Sequence, residues 1–290
     1  MDFRAMVLGL VFAVMWSSAF ASARIILLDA PPLWSLALRF LISGGLAVAI
    51  ARALGQSWRL PPAQARAVVI FGLCQNALYL GLFFVAMQRI EASLASIIAS
   101  SMPLIVAALG WTLRGERLAP LGIAGMVAGF AGVAIIMGSR LQAGADPVSV
   151  ALCILGASAL AVATLTVRGA SGGGNLLMVV GLQMLVGSAA LAMVALAIEP
   201  LHVTPTARLA AAFAYQIAIP GLAATLIWFS LVGRIGAVKA SAFHFLNPFF
   251  GVLIAAALLG EKVSALDMAG VAVATAGILA VQMARLRTAG

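Results

Sequence analysis

Charge is what this chain has least of. Lys, Arg, Asp and Glu together make up 9% of its 290 residues, against about 25% in ordinary soluble domains. A soluble core of this size needs charged surface around it, so a water-soluble globule is excluded. Acids are scarcest. Asp2, Asp29, Glu91, Glu116, Asp146, Glu199, Glu261 and Asp267 are the full set of eight, and all lie at the ends of apolar runs or between them. No carboxylate is therefore available at mid-run depth. Cysteine is nearly absent too. Cys74 and Cys153 both fall inside apolar runs and read as small packing residues, which excludes a disulfide framework and a cysteine metal site. There is no His-Glu-x-x-His motif, no mid-run Asp pair and no Gly-x-Ser-x-Gly elbow, so an intramembrane enzyme finds little support.

What is present is apolar. Hydrophobic residues reach 64%, in runs near the roughly 20 residues that cross a hydrocarbon core. Candidate helices lie near residues 6–27, 32–51, 67–87, 93–113, 119–138, 149–168, 176–198, 208–231, 238–259 and 266–284. Pro31-Pro32, Pro61-Pro62, Pro120, Asp146-Pro147, Gly172–Gly174 and Pro200 to Pro205 punctuate them. Backbone groups in lipid must be satisfied within such helices. The net charge of +9 comes from basic residues scattered between the runs, with no stripe suited to nucleic acid. They read as topology signals. With the N-terminus in the cytoplasm, eleven Lys and Arg fall inside and five outside, with Arg39 within a span. Both termini are expected to be cytoplasmic.

The chain repeats itself. Residues 86–135 align without a gap on 231–280, with 14 identities in 50 positions. Chance matches in an apolar chain do not place Arg, Pro, Gly and Glu in register. The expected units are residues 1–140 and 146–290, five spans each. An odd number of spans inverts one unit relative to the other. The fold expected is an all-α integral membrane protein, ten transmembrane helices in two inverted five-helix repeats around a central cavity. Such repeats share a site near the midplane and allow alternating access. Ala21-Ser22-Ala23 resembles a signal-peptidase site, but the first span has a counterpart near 149–168, with Arg24 matching Arg168. It is expected to stay as a structural helix.

Arg89-Ile90, Ala95-Ser96, Pro103 and Gly115-Glu116-Arg117 return as Arg234-Ile235, Ala240-Ser241, Pro248 and Gly260-Glu261-Lys262, and Leu38-Arg39-Phe40 lies in the second span. This pattern resembles the EamA-type repeat of the drug/metabolite transporter superfamily. The resemblance implies a bacterial inner-membrane exporter of amino acids or other metabolites. It implies a small-molecule substrate, surrounding membrane lipid, no cofactor, no metal and no nucleic-acid partner. A monomer is expected, with an oligomer left open.

Polar or aromatic residues present in only one half are the candidates for a substrate site, because an asymmetric substrate needs broken symmetry. His244, with counterpart Ala99, lies one turn before Pro248, and Asn247 shares its helical face. Intramembrane ionisable residues mark function by default; the bland reading is a neutral, satisfied His. Gln75, Asn76 and Tyr79 cluster in the third span, as a cavity wall or as interhelical glue. Trp16 and Ser17 lie midway along the first span, where Trp offers a stacking face or fills core. Ser100 and Ser101 sit beside Pro103, although back-bonding is the commoner fate of such hydroxyls. Pro103 and Pro248 are candidate hinges or fixed bends. Arg39 is a counter-charge for a substrate carboxylate or a structural cation, and as part of the family pattern the structural role leads. Gln183, Tyr215, Gln216 and Trp228 rank behind. Gly125-Gly129 and Gly270-Ala274 suit close helix packing within the monomer. Glu116 and Glu261 read as loop ion pairs or caps.

The expected activity is export of small metabolites, most of all amino acids, neutral and aromatic ones included. The alternatives are export of cationic aromatic drugs, a channel and, remotely, an intramembrane enzyme.

Overall fold

The computed structural model describes residues 3–115, 119–167, 175–235, 240 and 242–288. Glu116, Arg117, Arg168, Gly172–Gly174, Lys239 and Ser241 lie outside the described residues. The described chain is helical between short turns. Helix α1 spans Phe3–Ile26 and α2 Pro32–Ala53. Helix α3 runs through Pro62–Phe71, Gly72–Tyr79 and Leu80–Ala86, and α4 through Ala92–Ser100 and Met102–Arg114. Helices α5, α6 and α7 cover Pro120–Gln142, Pro147–Val167 and Leu176–Ile198. Helix α8 joins Ala207–Gln216, Ile217–Ala223 and Ala224–Ile235. Helix α9 joins Ala242–Leu246 to Asn247–Leu259, and α10 is Ala265–Thr288. Among the described residues nine helices are long and apolar enough to cross a membrane, and the apolar stretch Phe243–Leu259 is shorter. Leu41, Val127, Leu155 and Leu253 are exposed, as side chains facing lipid are. The molecule is an all-α, ten-helix membrane protein.

Local chemistry sets the ends. Pro32, Pro62, Pro120 and Pro147 each open a helix, where the missing N–H costs nothing. Gly115 and Gly260 close α4 and α9 at φ 64° and 68°, the left-handed cap that favours glycine.

At Pro103 and Pro248, where kinks are expected, the α-helical hydrogen bonding is interrupted. Helix α4 turns at Ser101 and restarts at Met102, and α9 opens with a 3₁₀ turn over Ala242–Leu246 before restarting at Asn247. Each proline thus occupies a first turn, where it displaces no hydrogen bond. Two π-helical stretches, Gly72–Tyr79 in α3 and Ile217–Ala223 in α8, occupy matching places in the two halves. Pro220 gives the second a cause. Gln75 holds the matching place in α3, so nothing in that stretch announces the wide turn.

Small residues let paired helices approach across the repeat boundary. A Cβ added at Gly132 of α5 would lie 2.5 Å from the Ala274 nitrogen of α10, and one at Gly125 2.8 Å from the Gly277 carbonyl oxygen. One at Gly44 of α2 would lie 3.0 Å from the Gly181 carbonyl oxygen of α7. The small-residue faces therefore serve packing within one chain. Helix α1 packs on α8 and α9, and α6 packs on α3 and α4 as its mirror.

Candidate functional site

Four rings from three helices meet where α1, α8 and α9 converge. Phe12 and Trp16 are one turn apart on α1, with ring centroids 5.6 Å apart. Trp228 of α8 lies 5.0 Å from Phe12 and 5.2 Å from His244 of α9. His244 stands edge-on to Phe12 at 5.3 Å and to Trp16 at 6.2 Å. Edge-to-face contact sets the positive rim of one ring against the negative face of the next. The 3₁₀ turn over Ala242–Leu246 is what carries His244 here.

Polar groups sit at the edge of the rings. Asn247 Nδ2 donates to His244 Nδ1 at 2.9 Å. With Nδ1 accepting, the imidazole is neutral and its proton rests on Nε2. Asn247 Oδ1 is buried without a hydrogen-bond partner. Ser17 Oγ approaches the Asn247 carbonyl oxygen at 3.4 Å. The site thus offers one ring donor, one free amide acceptor and three aromatic faces. Next along α1, the hydroxyls of Ser18 and Tyr215 meet at 2.7 Å, and Gln216 Nε2 donates to the Ala19 carbonyl oxygen at 2.6 Å and to Ser22 Oγ at 2.9 Å. These bonds clamp α8 to α1.

Of the residues singled out in the sequence, Trp16, Ser17, His244 and Asn247 come together here. Gln75, Asn76 and Tyr79 lie in the π-helical stretch of α3. No hydrogen bond or ring contact among the described residues joins them to the four rings. Asn76 Nδ2 donates to the Gln183 carbonyl oxygen of α7 at 3.0 Å, the interhelical role. Tyr79 is buried against Phe83, with ring centroids 4.7 Å apart, and Gln75 is half-buried. Ser100 Oγ donates to the Ser96 carbonyl oxygen at 2.7 Å, the back-bonding expected of it. Pro103 and Pro248 mark the helix restarts. Arg39 is 6% exposed and its guanidinium lies 5.1 Å from the Phe40 ring centroid.

A model of the EamA-like transporter family matches residues 3–138 and again 148–283. The chain belongs to the EamA-like transporter family. It is 24% identical over 287 residues to the uncharacterized inner membrane transporter YedA of Escherichia coli K12, covering 96% of this chain and 90% of that one. It is 24% identical over 264 residues to the uncharacterized transporter YvbV of Bacillus subtilis, covering 89% and 84%. Over 138 residues, 47% of each chain, it is 30% identical to the aromatic amino acid exporter YddG of Ancylobacter novellus. A solved crystal structure superposes with a TM-score of 0.69 at 23% identity, covering the whole of both chains. The protein is a multi-pass membrane transporter, and its family handles small molecules.

In this EamA-like chain the bundle face opposite the termini is crossed by bonds between halves. The Glu261 carboxylate accepts from the Ala92 and Ser93 nitrogens at 2.7 and 3.0 Å, so it caps α4 of the other repeat. Glu199 does the same for α2, accepting from Leu33 at 3.2 Å and Trp34 at 2.9 Å. Arg140 bridges Glu91 and Asp267. Burial pushes the Glu91 carboxyl above its ordinary value, against the pull of Arg140. Asp29 accepts from Thr206 at 2.7 Å and from Arg208 at 3.0 Å, and these bonds hold its carboxyl below the usual range.

Sequence reasoning passed over Phe12, which looks like any apolar residue in a span. The repeat carried the missing signal: at the 144-residue offset that pairs Arg24 with Arg168, the counterpart of Phe12 is Gly156. Trp228 ranked low because its counterpart is another aromatic, Phe83, so comparing the halves does not single it out.

Proposed function

We propose that this protein exports small zwitterionic metabolites, amino acids with neutral or aromatic side chains, across the bacterial inner membrane by alternating access. The observation that carries the reading is the one-sided cluster of Phe12, Trp16, Trp228 and His244, with Ser17 and Asn247 at its rim. A flat side chain stacks on these rings, and a side-chain hydroxyl or ring N–H donates to the free Asn247 oxygen. Ser17, His244 and Asn247, together with Gln75, Asn76, Tyr79 and Ser100 on α3 and α4, are the proposed substrate-contacting set. Pro103 and Pro248 are the proposed hinges, since both stand where the α-helical hydrogen bonding is already interrupted. The two five-helix units, residues 1–140 and 146–290, rock against each other with both termini in the cytoplasm. The face crossed by bonds between halves then looks outward and forms the outer gate.

Export of aromatic cations is the second reading, because the same ring faces attract positive charge. Purified protein in proteoliposomes separates the two. Saturable flux and counterflow of labelled phenylalanine, in a panel of the twenty amino acids run beside aromatic cations, is the expected result. Flux of the cations alone would replace the first reading with the second, and absence of counterflow with flux retained would indicate a channel.

A further inference from the structure

The strongest unassigned feature is a set of unpaired buried polar atoms on α2 and α8, two helices that pack together. Arg39 and Ser43 are one turn apart on one face of α2. Ser43 is fully buried and Arg39 is 6% exposed. Neither Arg39 Nε nor Ser43 Oγ has a hydrogen-bond partner. Across from Ser43 lies the π-helical stretch of α8. A Cβ added at Gly221 would meet Ser43 Oγ at 3.4 Å and the Gln216 carbonyl oxygen at 2.9 Å. Gln216 is itself fully buried, and while its amide nitrogen is tied to α1, its Oε1 has no partner.

A guanidinium keeps its proton inside proteins. A cation at membrane depth without a counter-charge is costly, and such residues pair with one another or mark a substrate path. The composition leaves nothing to pair with, because every acid among the described residues lies at a helix end or in a turn. Three unsatisfied atoms of complementary kinds, a cationic donor, a hydroxyl and an amide acceptor, match the head of an amino acid. The carboxylate suits Arg39 and Ser43, and the ammonium suits Gln216 Oε1.

We infer that Arg39, Ser43 and Gln216 form a carboxylate-recognising subsite, separate from the aromatic cluster, which holds the zwitterionic head of the substrate while the rings take its side chain. The inference rests on the amino-acid reading above and sharpens it, because a buried fixed cation repels the cationic drugs that the rings alone would accept.

The test compares each acid with its amide. In proteoliposomes, unlabelled phenylalanine competes with labelled phenylalanine in counterflow, and phenylalaninamide does not. Arg39→Gln raises the half-saturating phenylalanine concentration on the order of a hundredfold, and Arg39→Lys recovers part of the loss. Ser43→Ala, a change too small to threaten folding, weakens phenylalanine about tenfold. A second readout needs no transport: phenylacetate raises the melting temperature of the detergent-solubilised wild type, phenylacetamide does not, and Ser43→Ala reduces the shift. Equal competition by acid and amide, or equal thermal shifts in wild type and Ser43→Ala, overturns the inference. Amino-acid flux with equal competition overturns it while leaving the proposed function standing. No amino-acid flux, with carboxylate-specific stabilisation retained, overturns the proposed function alone.

Discussion

The region where α1 meets α8 and α9 and the region where α6 meets α3 and α4 descend from the same five-helix plan, and they have been filled in opposite ways. In the first, Phe12 packs on Trp228, with His244 edge-on to both. In the second, Gly156 stands for Phe12, Phe83 for Trp228 and Ala99 for His244. A Cβ added at Gly156 would lie 2.8 Å from the Phe83 ring and 3.2 Å from the Tyr79 carbonyl oxygen, so this side is closed by direct contact of helices. One region packs helix on helix, and the other packs rings and an amide with a free oxygen between helices. Duplication supplies a frame that works in both orientations, and recognition requires that one copy depart from it.

Three changes break or sharpen the contrast, in order of expected size. Gly156→Phe brings the bulk of Phe12 into the tight region. It is expected to cost about 3 kcal/mol through overpacking against Phe83, read as a lower melting temperature in detergent; an unchanged value would mean that the two regions are equally loose. Glu261→Gln weakens the carboxylate cap on α4, with an expected loss of about 1 kcal/mol. Its functional readout is faster labelling of a cysteine placed at Glu91 or Ser93 on the gate face. Unaltered labelling would remove Glu261 from the gate. Smallest is the pair of Asp29 and Arg208, in which Arg208 is exposed and the Asp29 carboxylate is largely covered. The Asp29 carboxyl is lowered in the folded protein, so its contribution is full above the ordinary carboxylate pKa and fades as pH falls through the lowered value. Asp29→Asn should therefore melt slightly earlier at neutral pH, and the gap from wild type should close on acidification. A gap that widens in acid contradicts the assignment.

The large-scale plan is written in composition and spacing. Ten apolar runs, prolines at helix starts and the paired Gly115 and Gly260 caps are local signals, and each is answered by an element that begins or ends where they stand. The candidate site was legible only in part. His244 and Asn247 stood out because polar side chains are rare at that depth, and comparing the halves isolated them further. Phe12 escaped because a phenyl ring in an apolar span carries no local sign of what it faces. Ser43 escaped because its environment is made by Gly221, some 180 positions away in the chain. The π-helical stretch of α3 has no proline to announce it, and the trans-capping by Glu199 and Glu261 arises from long-range packing that spacing along one chain does not encode.

The one-sided site is tested most directly by making the two sides alike. Trp16→Leu with His244→Ala gives the ring cluster the residues of its mirror, Leu160 and Ala99, without adding bulk anywhere. Counterflow of labelled phenylalanine in proteoliposomes should then require phenylalanine concentrations on the order of a hundredfold higher, in protein that melts close to wild type. Half-saturation unchanged from wild type would contradict the claim that substrate binds where α1, α8 and α9 meet.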